Sequence, residues 1–413
     1  MKNKIVLFSL MVSASIFTSC KEDYTGKYKM TDGLPVITFI RYQNKDLAGQ
    51  LLDGAYMGDN IVVIGDNLTS VQEVWFNNVK ALLNINLMTK NTLFVNVPRD
   101  LPSVRTDKIY FVTGKKDTVK YDFQVRIPAP VIDRMKCEFV PEGGEVVVYG
   151  DYFLAADPSL IKVFIGDDEL PASDMISYEK TKLVFKAPPM DIKGPLEVKT
   201  LYGNSGRTKD IFRDDRGMIT TFDDDYPIVP GWGNPKYIES DPEFALIGNY
   251  MRFSGEITNV GEWGQMDAEM TFHYWGEDNG KPAGNLFPSD PKTSTLKFEV
   301  NIIRPWSALS MQFFFFGQGG TNGIMWSNTY PRALWMPWTV KSGSETTVIP
   351  YTTDGWITVA IPLSEFNLDS QGGVGDPSFP TSFGALTIVV FRGGVEGLPC
   401  NPLILMDNIR VIP

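Results

Sequence analysis

One stretch of the chain combines side chains able to do chemistry with side chains able to hold a ligand: Met270-Thr271-Phe272-His273-Tyr274-Trp275-Gly276-Glu277-Asp278-Asn279-Gly280. It contains the only histidine, so a histidine-based triad would have to use His273, and two- or three-histidine zinc sites are excluded. No evident nucleophile stands beside that imidazole. Read as a strand, the stretch alternates, with Met270, Phe272 and Tyr274 on a core face and Thr271, His273 and Trp275 on the other. A tryptophan at the end of the wetter face, followed by a polar, glycine-containing turn, makes a flat platform for a ligand. The bland alternative is that Trp275 only caps the edge of a sandwich.

The whole chain must supply elements that hold this strand. Its 413 residues suffice for two to four domains, each with a core of its own, and 43% apolar against 21% charged residues is an ordinary globular balance. The 38 basic and 49 acidic side chains leave a net charge of −11, which argues against nucleic acid or an anionic membrane surface as the main partner. Cys137 and Cys400 lie far apart in sequence, and no disulfide framework is expected from three cysteines.

At the start, Lys2 and Lys4 precede an apolar run from Ile5 to about Ile16 and the small-residue ending Thr18-Ser19-Cys20. This has the form of a secretory signal over residues 1–19 and is too short for a stable membrane span. It resembles a bacterial lipobox, with Phe17 where leucine is commoner, which implies cleavage before Cys20 and lipidation of its thiol. Lys21-Glu22-Asp23 resembles the tag that directs Bacteroidetes lipoproteins to the outer face of the outer membrane. The polar residues that follow make 20–33 a lipidated tether.

Two related units come next, at offsets of 85 to 95 residues. Asn60-Ile61-Val62-Val63-Ile64-Gly65-Asp66 parallels Glu145-Val146-Val147-Val148-Tyr149-Gly150-Asp151. Val74-Trp75-Phe76 parallels Val163-Phe164-Ile165, and Thr92–Pro98 parallels Thr181–Pro188 with a one-residue slip. Short β-branched and aromatic runs broken by Gly, Pro and Asp predict antiparallel sandwiches. The repeated Gly-Asp and Val-x-(Phe/Ile) segments resemble IPT/TIG immunoglobulin-like modules, over 34–127 and 128–212. Both are expected to be spacers, with Trp75 expected in the core.

Composition shifts from about Arg213. Eight of nine tryptophans fall in 213–413, among coarse strands at Leu246–Phe253, Met266–Trp275, Ser294–Ile303, Leu309–Phe316, Trp356–Pro362, Ala385–Phe391 and Leu403–Val411. The fold class expected is therefore all-β: two immunoglobulin-like sandwiches and a larger β-sandwich over 213–413. The segments Thr221-Phe222-Asp223-Asp224, Ala333-Leu334-Trp335-Met336-Pro337-Trp338, Gly355-Trp356-Ile357-Thr358-Val359 and Leu405-Met406-Asp407-Asn408-Ile409-Arg410-Val411 resemble carbohydrate-binding jelly rolls. Together with the lipobox and the two modules, the order is similar to a surface glycan-binding protein of a Bacteroidetes polysaccharide-utilisation system.

That resemblance implies a non-catalytic, outer-membrane lipoprotein on the cell exterior. It would bind a plant β-glucan, xyloglucan or mixed-linkage β-glucan, for a neighbouring TonB-dependent transporter complex. It implies no cofactor, no nucleic acid, and membrane contact through the lipid alone. A neutral polysaccharide offers only hydroxyls and the C–H faces of its rings, so its binder needs flat apolar side chains flanked by fixed polar ones. The candidates are Trp275 and Tyr274, then Trp232, Trp326, Trp263 and Trp335, with polar partners guessed from proximity in sequence at Asp278, Asn279, Gln265 and Asn234. Trp306 and Trp356 begin strands and favour structure, while Trp335 and Trp338 are open to either role. Strict alternation would send Tyr274 and Trp275 to opposite faces, so both reach one ligand only if the strand ends or bulges there.

Two other functions fit parts of the pattern. A glycoside hydrolase needs two carboxyls across a cleft; Asp223, Asp224, Asp225, Glu256, Glu262, Glu269, Glu277 and Glu299 supply acids, and nothing in the sequence pairs them. An adhesin or assembly protein would use the aromatic face on protein. The acids at 223–225 with Asp407 and Asn408 are oxygen-rich enough for a structural Ca²⁺, though turn or solvated roles are the plainer reading and no metal is expected.

Overall fold

The structure, a computed structural model of the chain, describes residues 31–155, 157–223, 238–260, 271–275, 286–287, 290, 293–316, 332–374 and 384–413. Among these the protein is all-β, apart from short 3₁₀ turns, and it divides into two compact units, 1–128 and 129–413.

In the first unit, one sheet runs in the order Val36–Tyr42, Asn60–Asp66, Thr92–Asn96, Leu83–Met88. A second runs Val79–Lys80, Val71–Phe76, Lys108–Thr113, Thr118–Asp122. Ile61, Val63, Leu93, Val95, Val74, Phe76, Ile109 and Phe111 alternate inward from the two sheets and form the core between them. Trp75 departs from expectation. It lies off the core, half-buried, with its indole N–H donating to Glu73 at 3.0 Å and the Lys80 ammonium 5.7 Å from its ring centroid. Val74 and Phe76 take the inward positions, and period-2 alternation leaves the residue between them on the outside.

The second unit repeats this plan in its first part. The sheet Val131–Met135, Glu145–Asp151, Lys182–Lys186, Met175–Glu179 has the same order as its counterpart, and its first pair carries a register shift at the equivalent place. Gly65 and Gly150 sit at that shift. A Cβ there would stand 1.9 Å and 2.0 Å from the carbonyl oxygens of Val36 and Val131, so close backbone approach explains why both units have glycine before the aspartate.

The C-terminal part is built of two further sheets around the largest core. Six strands form one: the path Ile238–Glu239, Tyr250–Ser254, Leu403–Ile412, Thr295–Arg304, Ile357–Pro362, with Met218–Thr220 also paired to Leu403–Ile412. The other runs Thr271–Trp275, Ala385–Phe391, Ser310–Phe316, Ala333–Trp335. Phe298, Val300, Ile302, Ile404, Met406 and Ile409 from the first meet Phe272, Tyr274, Met311, Phe313, Phe315, Ile388 and Val390 from the second. Phe298 stacks on Phe313 with centroids 5.0 Å apart.

The other face of the six-stranded sheet carries a buried charged cluster. Arg410, wholly buried, donates to Glu138 Oε2 at 2.7 Å and to Glu299 Oε2 at 2.8 Å. Lys297, also buried, donates to Glu138 Oε1 at 2.5 Å and to Asp210 at 2.7 Å. Thr358 ties the Glu299 carboxylate to the Glu138 backbone: its hydroxyl donates to Glu299 at 2.8 Å and accepts from the Glu138 N–H at 2.7 Å. Burial pushes the Glu299 carboxyl above the ordinary range while Arg410 opposes that rise. The thiol of Cys137 beside this cluster is buried and pushed up, chiefly by desolvation; Cys137 and Cys400 are both free.

The different places of Trp75 and Phe76 give different expected costs. Phe76→Ala removes a fully buried ring that meets Phe123 edge-on at 6.0 Å and should cost about 3–5 kcal/mol. Trp75→Ala should cost only on the order of 1 kcal/mol. Urea unfolding of the two variants measures the contrast.

Candidate functional site

The four-stranded sheet of the C-terminal part holds the strand on which the sequence concentrates its chemistry. Pairing is antiparallel throughout, with Trp275 in register with Ala385 and Ala385 in register with Phe316. The end of Thr271–Trp275, the start of Ala385–Phe391 and the end of Ser310–Phe316 therefore lie at one end of the sheet. Ala333, at the start of its short strand, pairs with Phe313 on the same side. The chain segments 276–285, 317–331 and 375–383 are joined to that end. Asp278 and Asn279 belong to the first of these segments and Trp326 to the second; all three lie outside the described residues.

Thr271, at the start of the strand that ends in Trp275, pairs with Val389 at the opposite end of the sheet. Trp335 pairs with Met311, also away from the Trp275 end. Its ring is half-buried and meets Phe298 at 5.6 Å and Trp306 at 5.7 Å, both edge-on, so it packs against the core. Trp306 and Trp338 are wholly buried, and their indole N–H groups donate to the carbonyls of Ala308 (2.6 Å) and Leu309 (2.9 Å). Trp356 donates to the Phe244 carbonyl at 2.9 Å and packs on the core of the preceding sandwich.

Tyr274 needs a correction as well. It is 1% exposed, in the core with Phe272, 6.4 Å from it centroid to centroid. The strand keeps its alternation through Tyr274↔Leu386 without a register shift, so no bulge turns Tyr274 toward the face it would share with a ligand. A ring sealed at 1% exposure cannot stack on a sugar. Trp232, Trp263, Trp326, Asp278, Asn279, Asn234 and Gln265, together with Asp224, Asp225 and Cys20, lie outside the described residues, as do the side chains of His273 and Trp275.

Sequence patterning gave no sign of what lies on the sheet's other face. Gln312 and Phe314 leave the core by alternation, yet both are wholly buried, along with Arg332. Arg332 donates to Gln312 Oε1 at 2.9 Å, and its guanidinium lies 4.4 Å from the Phe314 ring centroid. The Gln312 amide donates in turn to the Ser370 carbonyl at 2.9 Å and to that of Arg392. Desolvation pulls the Arg332 guanidinium down to about 10, with Asp369 acting in the other direction. An isolated glutamine and an arginine in loop sequence carry no periodic signal, and only the pairing of Ser310–Phe316 with both neighbours brings them together. The result is a stiff polar and aromatic layer fastening the 366–374 segment to the sheet, since Arg332 also exchanges backbone hydrogen bonds with Leu368 at 3.0 and 3.2 Å.

The acids do not assemble into a catalytic pair or an ion cage among the described residues. Glu299 is bound to Arg410 and Thr358, and Asp223 Oδ1 accepts from the Asn249 backbone N–H at 2.7 Å. No group of three or more His, Cys, Asp or Glu side chains there is arranged to hold a metal ion.

The family profile of the surface glycan-binding protein B xyloglucan binding domain matches residues 212–413. Surface glycan-binding protein PbSGBP-B from Prevotella bryantii is 32% identical, with 92% of this chain and 99% of that one covered and a TM-score of 0.64. The chain belongs to the surface glycan-binding protein B family. Its members are non-catalytic glycan-binding proteins of the cell surface. A second surface glycan-binding protein B, from a complex xyloglucan utilization locus in Bacteroides uniformis, is 18% identical over 92% of this chain and 99% of its own, with a TM-score of 0.47. An IPT/TIG domain-containing protein of Bacteroides ovatus is 26% identical over 129 residues, 30% of this chain. The match spans about a quarter, 26%, of that curated relative's length.

The burial of Tyr274 carries a stability prediction. Tyr274→Ala should destabilise the protein by about 3–5 kcal/mol through the cavity it leaves in the core, visible as a lower urea midpoint. A variant with an unchanged midpoint would place the ring outside the core.

Proposed function

We propose that the protein captures a plant β-glucan chain, xyloglucan or mixed-linkage glucan, at the cell surface and without catalysis. The observation that carries this reading is the match of residues 212–413 to a xyloglucan-binding domain, the same span that holds eight of nine tryptophans. The platform in this reading is built on Trp275, at the strand end that pairs with Ala385, with Trp326, Asp278 and Asn279 as further candidates. Trp232 and Trp263 remain further platform candidates. In this reading the C-terminal part is a jelly-roll-like sandwich over 213–413. Residues 34–127 and 128–212 are IPT/TIG-like immunoglobulin modules following a 1–19 signal and a 20–33 tether.

The same reading places the protein at the outer face of the outer membrane, held by lipid on Cys20, and makes it a glycan supplier to a TonB-dependent transporter complex. Among the described residues no helix is long and apolar enough to cross a membrane. Stacking on an open face, helped by a few hydrogen bonds, supports weak affinity, roughly 10 µM to 1 mM, or on the order of −4 to −7 kcal/mol.

Affinity electrophoresis of residues 21–413 in xyloglucan, mixed-linkage glucan, galactomannan and starch tests the proposal. Retardation in one of the first two is expected. No retardation in any gel sinks it, and protein capture without glycan retardation would indicate an adhesin. Trp275→Ala should abolish the retardation while leaving the melting temperature within a few degrees; retention of binding would remove Trp275 from the platform.

A further inference from the structure

The second sandwich was expected to be a spacer, and spacers need only a linker to what they carry. Its connection to the C-terminal part is much more extensive. Glu138, from the second sandwich, is 4% exposed and receives hydrogen bonds from Arg410 and Lys297 of the six-stranded sheet, both at 3% exposure or less. Asp210 adds a second carboxylate for Lys297, and the Arg410 guanidinium lies 4.7 Å from the Phe139 ring centroid. The backbone joins in: Thr358 N–H donates to the Lys136 carbonyl at 3.0 Å, so the 136–138 segment runs along Ile357–Pro362, the last strand on that side of the six-stranded sheet.

The chain crossing is locked as well. Arg213 is buried, and its guanidinium donates to the carbonyls of Val140, Pro188, Pro189 and Ile192, all in the second sandwich. Its own backbone N–H donates to the Glu138 carbonyl at 2.9 Å. In the other direction, Leu246 and Trp356 of the C-terminal part pack on the core of the second sandwich.

We propose that the second sandwich and the C-terminal domain are one rigid, cooperatively folding body, held by the Glu138–Arg410–Glu299–Lys297 cluster, with no hinge at 212/213. The sandwich then acts as the structural half of the binding domain. Separation would break the Glu138–Arg410 and Glu138–Lys297 pairs, with Glu299 keeping Arg410, and would uncover the packing of Phe139, Leu246 and Trp356; hydration of the freed charges offsets only part of that loss. The inference rests on contacts within residues 129–413 and stands or falls independently of which glycan is bound.

Tryptophan fluorescence offers a clean test, because residues 129–212 contain no tryptophan and 213–413 contain eight. In the 21–413 protein, Glu138→Gln should lower the melting midpoint read by tryptophan emission by at least about 5 °C. Glu179→Gln, at an exposed position of the same sandwich, should leave it within about 1 °C. Equal midpoints for the two variants would overturn the proposal. Should Glu138→Gln fail to fold, native-state hydrogen exchange on the unmodified protein decides. Strands Glu145–Asp151 and Leu403–Ile412 should then open in a single event with one free energy. Separate openings would mean two bodies and a working hinge.

Discussion

Much of the C-terminal architecture depends on where Arg410 sits. The strand Leu403–Ile412 is flanked by Tyr250–Ser254 and Met218–Thr220 on one side and Thr295–Arg304 on the other. One face sends Ile404, Met406, Ile409 and Val411 into the core. The opposite face holds a guanidinium that is completely dry and bound by two carboxylates. Such a pair adds little net stability over well-packed hydrocarbon, but losing one partner costs about 3–5 kcal/mol. Its geometry is specific: Arg410 meets the second sandwich through Glu138.

The same segment solves a second difficulty. An exposed last strand of a sheet invites pairing with other chains. Ile357–Pro362 is such a strand, and the 136–138 segment covers part of it through the Thr358 N–H and hydroxyl. Charge pairing and edge protection are thus provided by three consecutive residues, Lys136, Cys137 and Glu138, whose sequence reads only as the end of a short strand.

What the sequence revealed follows from the range of the forces involved. Runs of β-branched and aromatic residues are a local signal, and the coarse strands match Ala385–Phe391 to the residue and Ser310–Phe316, Thr295–Arg304 and Ile357–Pro362 within one residue at each end. The two-fold repeat was legible down to Gly65 and Gly150, because backbone crowding at the bulge admits no other residue. Trp75 was expected in the core because it lies on a strand, whereas the alternation of Val74 and Phe76 assigns it outward. The charged cluster was invisible because Glu138, Glu299 and Arg410 are separated by 111 residues or more, and each resembles a surface residue in its own window. The same limit hid the Arg332–Gln312–Ser370 layer. As for the candidate site, the core role of Phe272 was readable from its strand, whereas the sharing of one sheet end by Trp275 and two distant segments required the register.

That register bears on how the proposed stacking would become selective recognition. A ring platform gains little if its aromatic side chains must first be ordered by the ligand, since each immobilised side chain costs about 0.5–1.5 kcal/mol. Trp275 is anchored at the end of a strand whose next residue inward, Tyr274, is locked in the core. Behind the same sheet, Arg332 is held between Phe314 and Gln312, and the 366–374 segment is fastened through Ser370 and Leu368. These contacts stiffen the sheet from both faces before any ligand arrives. On the proposed reading, a scaffold fixed in this way would reduce the ordering cost on binding, so that a handful of contacts could hold a neutral, flexible polysaccharide.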